Sequence, residues 1–163
     1  MRLRSATGLI LFAATLAAGP VLAVERSTAE EAVALVDKAI DYLKKNGREK
    51  SIAEFNNLNS PFNVTSDINK KGDLYLIMLD GTNASAGQLV HGKNPKLIGK
   101  DLSDLRDADG VYLFREIFKT CRSAAGKGWV SYKWPNPVNK SVEAKQTYVV
   151  RVDDLCIGTG IYK

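Results

Sequence analysis

Gly128-Trp129-Val130-Ser131-Tyr132-Lys133-Trp134-Pro135-Asn136-Pro137, followed after a short polar interval by Lys145-Gln146-Thr147-Tyr148, is the stretch on which the fold turns. Its alternating bulky residues and the Pro-Asn-Pro step predict two strands joined by a turn. Paired strands bring rings and ammonium groups within reach of one another. Rings offer apolar contact and a lysine offers charge to an anion, so Trp129, Tyr132, Lys145 and Tyr148 read as the wall of a binding pocket. The competing reading is a hairpin of an ordinary mixed sheet, with Trp129 and Tyr132 in the core and Lys145 snorkelling to water. Alternation adds a constraint: it sends Trp129 and Tyr132 to opposite faces, and Lys145 and Tyr148 likewise. At most one of each pair lines a pocket unless a bulge intervenes.

Upstream of this hairpin the period is helical. Thr28 and Glu31 can form a capping box, and Ala32, Val36, Ala39 or Ile40, and Leu43 recur at helical spacing. Gly47 interrupts the run before Ile52 and Phe55 resume it, which predicts one bent helix or two consecutive helices ending near Asn57. Residues 57–72 are rich in Asn, Ser and Pro and predict irregular chain tucked inward by Phe62. Residues 73–79 are nearly all apolar, as in a central strand covered on both faces, and residues 87–91 predict its hairpin partner. Asp107-Ala108-Asp109-Gly110 places acidic groups before a helix over residues 111–124 that ends at Gly126 and Gly128. A last strand covers residues 156–162. The order of helix, two strands, helix and three strands predicts an α+β domain, an antiparallel sheet flanked by a long N-terminal helix and a second helix.

Met1-Arg2-Leu3-Arg4 is a basic head, an apolar run follows from Leu9 to Ala18, and Val21-Leu22-Ala23 offers the small residues a signal peptidase reads. Residues 1–23 are therefore expected to be a signal peptide cleaved after Ala23, the rival being an uncleaved anchor. Residues 24–163 then form one domain of ordinary size. The formal charge of +5 falls to about +3 without Arg2 and Arg4, and no basic block remains. Nucleic acid is not implied; the modest positive balance suits a surface that draws small anions toward a cleft.

The chain has two cysteines, Cys121 and Cys156. An exported protein with two more often pairs them, which predicts a disulfide closing a loop of about 35 residues. The competing metal or redox pair lacks the close Cys-x-x-Cys spacing or clustered histidines.

Little else here carries chemistry. His91 is the single histidine, and no serine elbow or paired catalytic carboxylate accompanies it, so neither a multi-histidine metal cluster nor a hydrolytic triad is expected. Catalysis, a metal and a cofactor are all unexpected. Asp104, Asp107 and Asp109 lack the ordered ligands and closing Glu of a calcium loop and read as caps. His91 can donate a hydrogen bond to a carboxylate, and the hydroxyls of Tyr75 and Tyr148 can orient a ligand oxygen. A buried Lys145 ammonium would be costly unless an anion met it; Arg115 and Arg151 are substitute cations.

Asp73-Leu74-Tyr75, the run from His91-Gly92-Lys93-Asn94-Pro95 through Gly99-Lys100-Asp101-Leu102, Asp107-Ala108-Asp109-Gly110, the Trp129 and Lys145 strands, and Gly160-Ile161-Tyr162 together resemble the single Cache domain, type 2. The resemblance covers nearly all of the chain after the leader, in order. It implies a PAS-like sheet with a long N-terminal helix, outside the cytoplasmic membrane of a bacterium, with a small molecule bound on the sheet. Relatives usually sit in chemoreceptors and sensor kinases, and several recognise short organic acids. The resemblance raises Tyr75, His91, Trp129, Tyr132, Lys145 and Tyr148 as a ligand set for a small organic anion. Because neither a membrane span nor an output domain follows Lys163, the expectation is a stand-alone periplasmic protein that reports to a membrane receptor or kinase. The alternative is an accessory protein that docks on a membrane complex without a small ligand.

Overall fold

The computed structural model describes residues 25–83 and 87–163; the expected signal peptide lies outside them. Helix α1 (Ala29–Asn46) opens with the capping box: the Thr28 hydroxyl accepts from the Glu31 N–H while the Glu31 carboxylate accepts from the Thr28 N–H. Gly47, at φ 81°, ends it and starts α2 (Arg48–Asn56), so the run forms two consecutive helices. The Asn- and Ser-rich segment that follows is irregular and turns Phe62 into the core against Phe55 and Tyr42.

Five strands form one antiparallel sheet in the order β2-β1-β5-β4-β3. They are β1 (Ile77–Asp80), β2 (Gln88–His91), β3 (Lys127–Pro135), β4 (Val142–Val152) and β5 (Leu155–Tyr162). The first strand is shorter than the apolar run predicts. Leu74, Tyr75 and Leu76 are buried but precede the paired residues, because Asn63 holds this segment: its side-chain oxygen accepts from the Leu76 N–H. Helix α3 (Leu113–Cys121) is also shorter than expected. Asp107 does not cap it; its carboxylate accepts from the backbone N–H groups of Asp109, Val111 and Lys133, fastening the preceding loop to β3.

The sheet is covered on both faces. Helices α1 and α2 pack with Leu74, Leu76, Met78, Val90, Ile157 and Ile161 on one side. Helix α3 packs with Tyr75, Ile77, Val130, Tyr132 and Tyr162 on the other. A disulfide joins Cys121, the last residue of α3, to Cys156 in β5, with Cα atoms 6.1 Å apart. It anchors the helix over the second face. No helix among the described residues is long and apolar enough to cross a membrane.

Candidate ligand-binding site

Pairing decides which side chains meet. Tyr132 pairs with Lys145 and Trp129 with Tyr148 across β3 and β4, while Lys145 pairs with Tyr162 across β4 and β5. Directly opposed residues share a face, so Tyr132, Lys145 and Tyr162 stand together on the α3 side. Trp129 and Tyr148 stand on the other, their ring centroids 5.2 Å apart. Trp129 is 38% exposed and lies against α1 beside Val33 and Ala34. Of the six expected ligand residues, Tyr75, His91, Tyr132 and Lys145 therefore converge and Trp129 and Tyr148 do not. The cause is the period of two, with no bulge in this hairpin to override it.

Lys145 is 3% exposed. Its ammonium donates to the Tyr75 hydroxyl at 2.6 Å and lies 3.9 Å from the centroid of that ring and 4.8 Å from that of Tyr162. No carboxylate forms an ion pair with it among the described residues. Burial drives its pKa well below 10.5, with Asp73 acting weakly in the opposite sense. Gly160 makes the space: a Cβ there would overlap the Lys145 Cε and the Thr147 hydroxyl. Tyr75 and Tyr162 share a 3.3 Å hydroxyl contact, and the Tyr162 hydroxyl donates to the Pro135 carbonyl. The Tyr132 hydroxyl meets that of Thr147 at 2.6 Å. Burial raises all three phenol pKa values, that of Tyr162 to about 12, so they stay protonated; with the Tyr162 proton on the Pro135 carbonyl, Tyr75 is the donor in its contact with Tyr162.

His91 ends β2, and its ring stacks on Tyr75 with centroids 5.0 Å apart. Asn56 of α2 sets its backbone: the side-chain amide donates to the Leu89 carbonyl and accepts from the His91 N–H. His91 Nδ1 accepts from the backbone N–H groups of Asn94 and Lys93, at 3.0 and 3.3 Å. The ring proton therefore belongs on Nε2, which becomes a donor. Burial first, and the Lys145 charge second, lower the His91 pKa to about 3, so the ring is neutral at ordinary pH.

Two spaces adjoin these residues. The outer one is a cleft of about 310 Å³ between Lys93, Asn94 and the Pro135 to Lys140 turn; two lysines and no acidic residue line it. The inner one is a chamber of about 10 Å³, room for a single water-sized group, under Leu113, Phe114 and Ile117 of α3. Tyr75, His91 and Trp134 line both and form the partition, with Lys145 and Tyr132 on the inner side. Trp134, Lys93 and Tyr162 were missed as site residues. Trp134 was within reach of sequence reasoning, since it shares Tyr132's face two residues on. The substitute cation Arg115 points elsewhere, pairing with Asp104 and lying over Tyr112.

The arrangement offers hydrogen-bond donors and positive charge in a half-apolar recess, chemistry that suits an anion with a small apolar body. Residues 24–163 match the family described as Single Cache domain 2. The methyl-accepting chemotaxis protein McpP of Pseudomonas putida is 37% identical over 76 residues, 45% of this chain and 14% of that protein. The sensor histidine kinase MctS of Rhizobium johnstonii is 32% identical over 98 residues, 59% of this chain and 20% of that protein. Those curated relatives are thus matched over a fifth of their length or less. A solved Cache chemosensory domain, described for its recognition of carboxylic acid, superposes with a TM-score of 0.65 at 23% identity, covering 82% of this chain and 92% of that one. The fold agrees with that of the solved domain, and the family match spans the whole described region: the chain belongs to the Single Cache domain 2 family.

Proposed function

We propose that this chain is a periplasmic sensing domain, exported by a signal peptide cleaved after Ala23, that captures a short carboxylate and releases it unchanged. The observation that carries the reading is the Lys145 ammonium, buried with a phenol as its one hydrogen-bonding partner among the described residues, behind a cleft without acidic residues. An isolated buried ammonium is costly, and a carboxylate anion offsets that cost. The Nε2–H of His91 supplies a further donor, and Trp134 and Tyr132 bound the size of the apolar body. The curated relatives include chemotaxis receptors and a sensor kinase, which supports a membrane receptor or kinase as the downstream partner. The carboxylic acid recognised by the solved Cache domain supports the ligand class.

A thermal-shift screen of short acids, amines and purines tests this. A ligand at a hundredfold its Kd adds about 2.7 kcal/mol, a rise on the order of 5 to 10 °C for a domain of this size. Formate, acetate, propionate or a close analogue is expected to give that rise; a flat response across the acids contradicts the reading.

A further inference from the structure

On the face of the sheet opposite Lys145, a recess of about 180 Å³ opens between α1 and residues 67–70. Glu31, Ala34 and Lys38 line it from α1, at the spacing of one helical stripe. Asp67, Asn69 and Lys70 line it from the other side, on a turn closed by two backbone hydrogen bonds between Ser66 and Asn69, at 3.1 and 3.2 Å. The recess shares no lining residue with the cleft or the chamber, so binding at one face is separable from binding at the other.

Asn69 is 2% exposed. Its amide nitrogen donates to the Leu74 and Phe62 carbonyls at 2.9 and 3.3 Å, while its amide oxygen is buried with no hydrogen-bond partner. The amide cannot turn over to satisfy the oxygen, because that would set oxygen against two carbonyls. A buried acceptor left alone is costly, so this wall of the recess calls for a donor. Charge around it is unmatched as well. Glu31 is engaged by Lys71 at 2.9 Å, but Lys38, Asp67 and Lys70 form no ion pair among the described residues. Two ammonium groups, one carboxylate and one buried acceptor thus surround the apolar side chains of Ala34, Ile68 and Leu74.

A fitting ligand carries a cationic donor, an anion and a small apolar body in one molecule. An amine alone meets two lysines of like charge, and an acid alone leaves the Asn69 oxygen without a donor. We propose that the recess is a second ligand site, which takes a small apolar α-amino acid as its zwitterion. The ammonium donates to Asp67 and to the Asn69 oxygen, the carboxylate meets Lys38 and Lys70, and the side chain lies against Ile68 and Leu74.

Calorimetric titration of alanine and of valine into the wild type and into Lys145→Met tests the proposal, with 3-methylbutanoate and 2-methylpropan-1-amine as the valine analogues lacking the ammonium and the carboxylate. Valine is expected to bind both proteins with affinities within about twofold of each other, because the two faces are independent. In Lys145→Met it is expected to bind at least about tenfold tighter than either analogue. Asp67→Asn and Lys70→Met, both at exposed positions, are each expected to weaken it about fivefold, the scale of an exposed charge pair. Asn69 is followed rather than replaced, since its amide nitrogen holds two carbonyls; its side-chain amide resonances are expected to shift as valine is added. Loss of valine binding in Lys145→Met places the amino acid in the acid site and overturns the proposal. So do equal affinity for either analogue, unchanged affinity in both Asp67→Asn and Lys70→Met, and the absence of alanine and valine binding by the wild type.

Discussion

The Lys145 ammonium lies 2.6 Å from the Tyr75 hydroxyl and 3.9 Å from the centroid of the same ring. Ring face and hydroxyl together replace part of the hydration that burial removes, and neither carries a formal charge. Under the proposed function, a ligand carboxylate would add the charge partner that ring and hydroxyl do not supply.

Removing the ammonium separates stability from binding. Lys145→Met keeps the length of the side chain and discards a buried charge, a change that is often neutral or stabilising. Chemical denaturation is expected to give an unfolding free energy equal to or above that of the wild type, with carboxylate affinity reduced at least about thirtyfold, from the loss of a charge-assisted contact. A large loss of stability would mean that the lysine holds the fold and not the ligand.

Ligand affinity should weaken as pH rises. The Lys145 pKa in the free domain is well below 10.5, and a bound carboxylate raises it by favouring the charged form. Binding therefore takes up a proton in the window between the depressed value and the ligand-raised one. Titrations in buffers of different ionisation enthalpy are expected to show net proton uptake in that window and none in Lys145→Met.

His91 adds an acid-side dependence of stability. Its pKa of about 3 in the fold lies below the ordinary 6.5, so the unfolded chain binds the proton more readily. The stability it contributes is fully present above 6.5 and is lost as pH falls toward about 3, on the order of a few kcal/mol. His91→Asn is expected to flatten the wild-type decline between those values. A parallel decline in both proteins would assign the loss to other groups.

Three substitutions probe the two faces. At Gly160→Ala the added methyl collides with Lys145 and Thr147, costing about 1 to 3 kcal/mol by overpacking and weakening acid binding. Trp129→Ala, on the opposite face, should leave affinity within about twofold, whereas Trp134→Ala in the partition should weaken it about tenfold or more. Reducing the disulfide between Cys121 and Cys156 should lower stability by about 4 kcal/mol in the chain-entropy account, read from urea unfolding with and without reductant.

Much of this fold was legible in the residues. The capping box at Thr28, the break at Gly47 and the hairpin around Pro135-Asn136-Pro137 are local signals, and local signals survive in a sequence. Alternation along the strand likewise sets Trp129 and Tyr132 on opposite faces from the residues alone. What remained hidden depends on distant contacts. The bulge at Leu89 that brings Gln88 to His91's side is a mismatch between two strands and has no signature in either. The early end of β1's pairing depends on Asn63, whose amide bonds to Phe55, Asn57 and Leu76 only after the chain has folded back. Gly158-Thr159-Gly160 likewise reads as bare glycine until Lys145 is seen to occupy the space over Gly160.

The central claim is that a buried ammonium awaits a small acid, and calorimetric titration of propionate into the wild type and Lys145→Met at neutral pH tests it most directly. Saturable one-to-one binding by the wild type, lost or weakened at least about thirtyfold in a variant that unfolds at the same or higher temperature, is the result this account predicts. Equal affinity in the two proteins would contradict it.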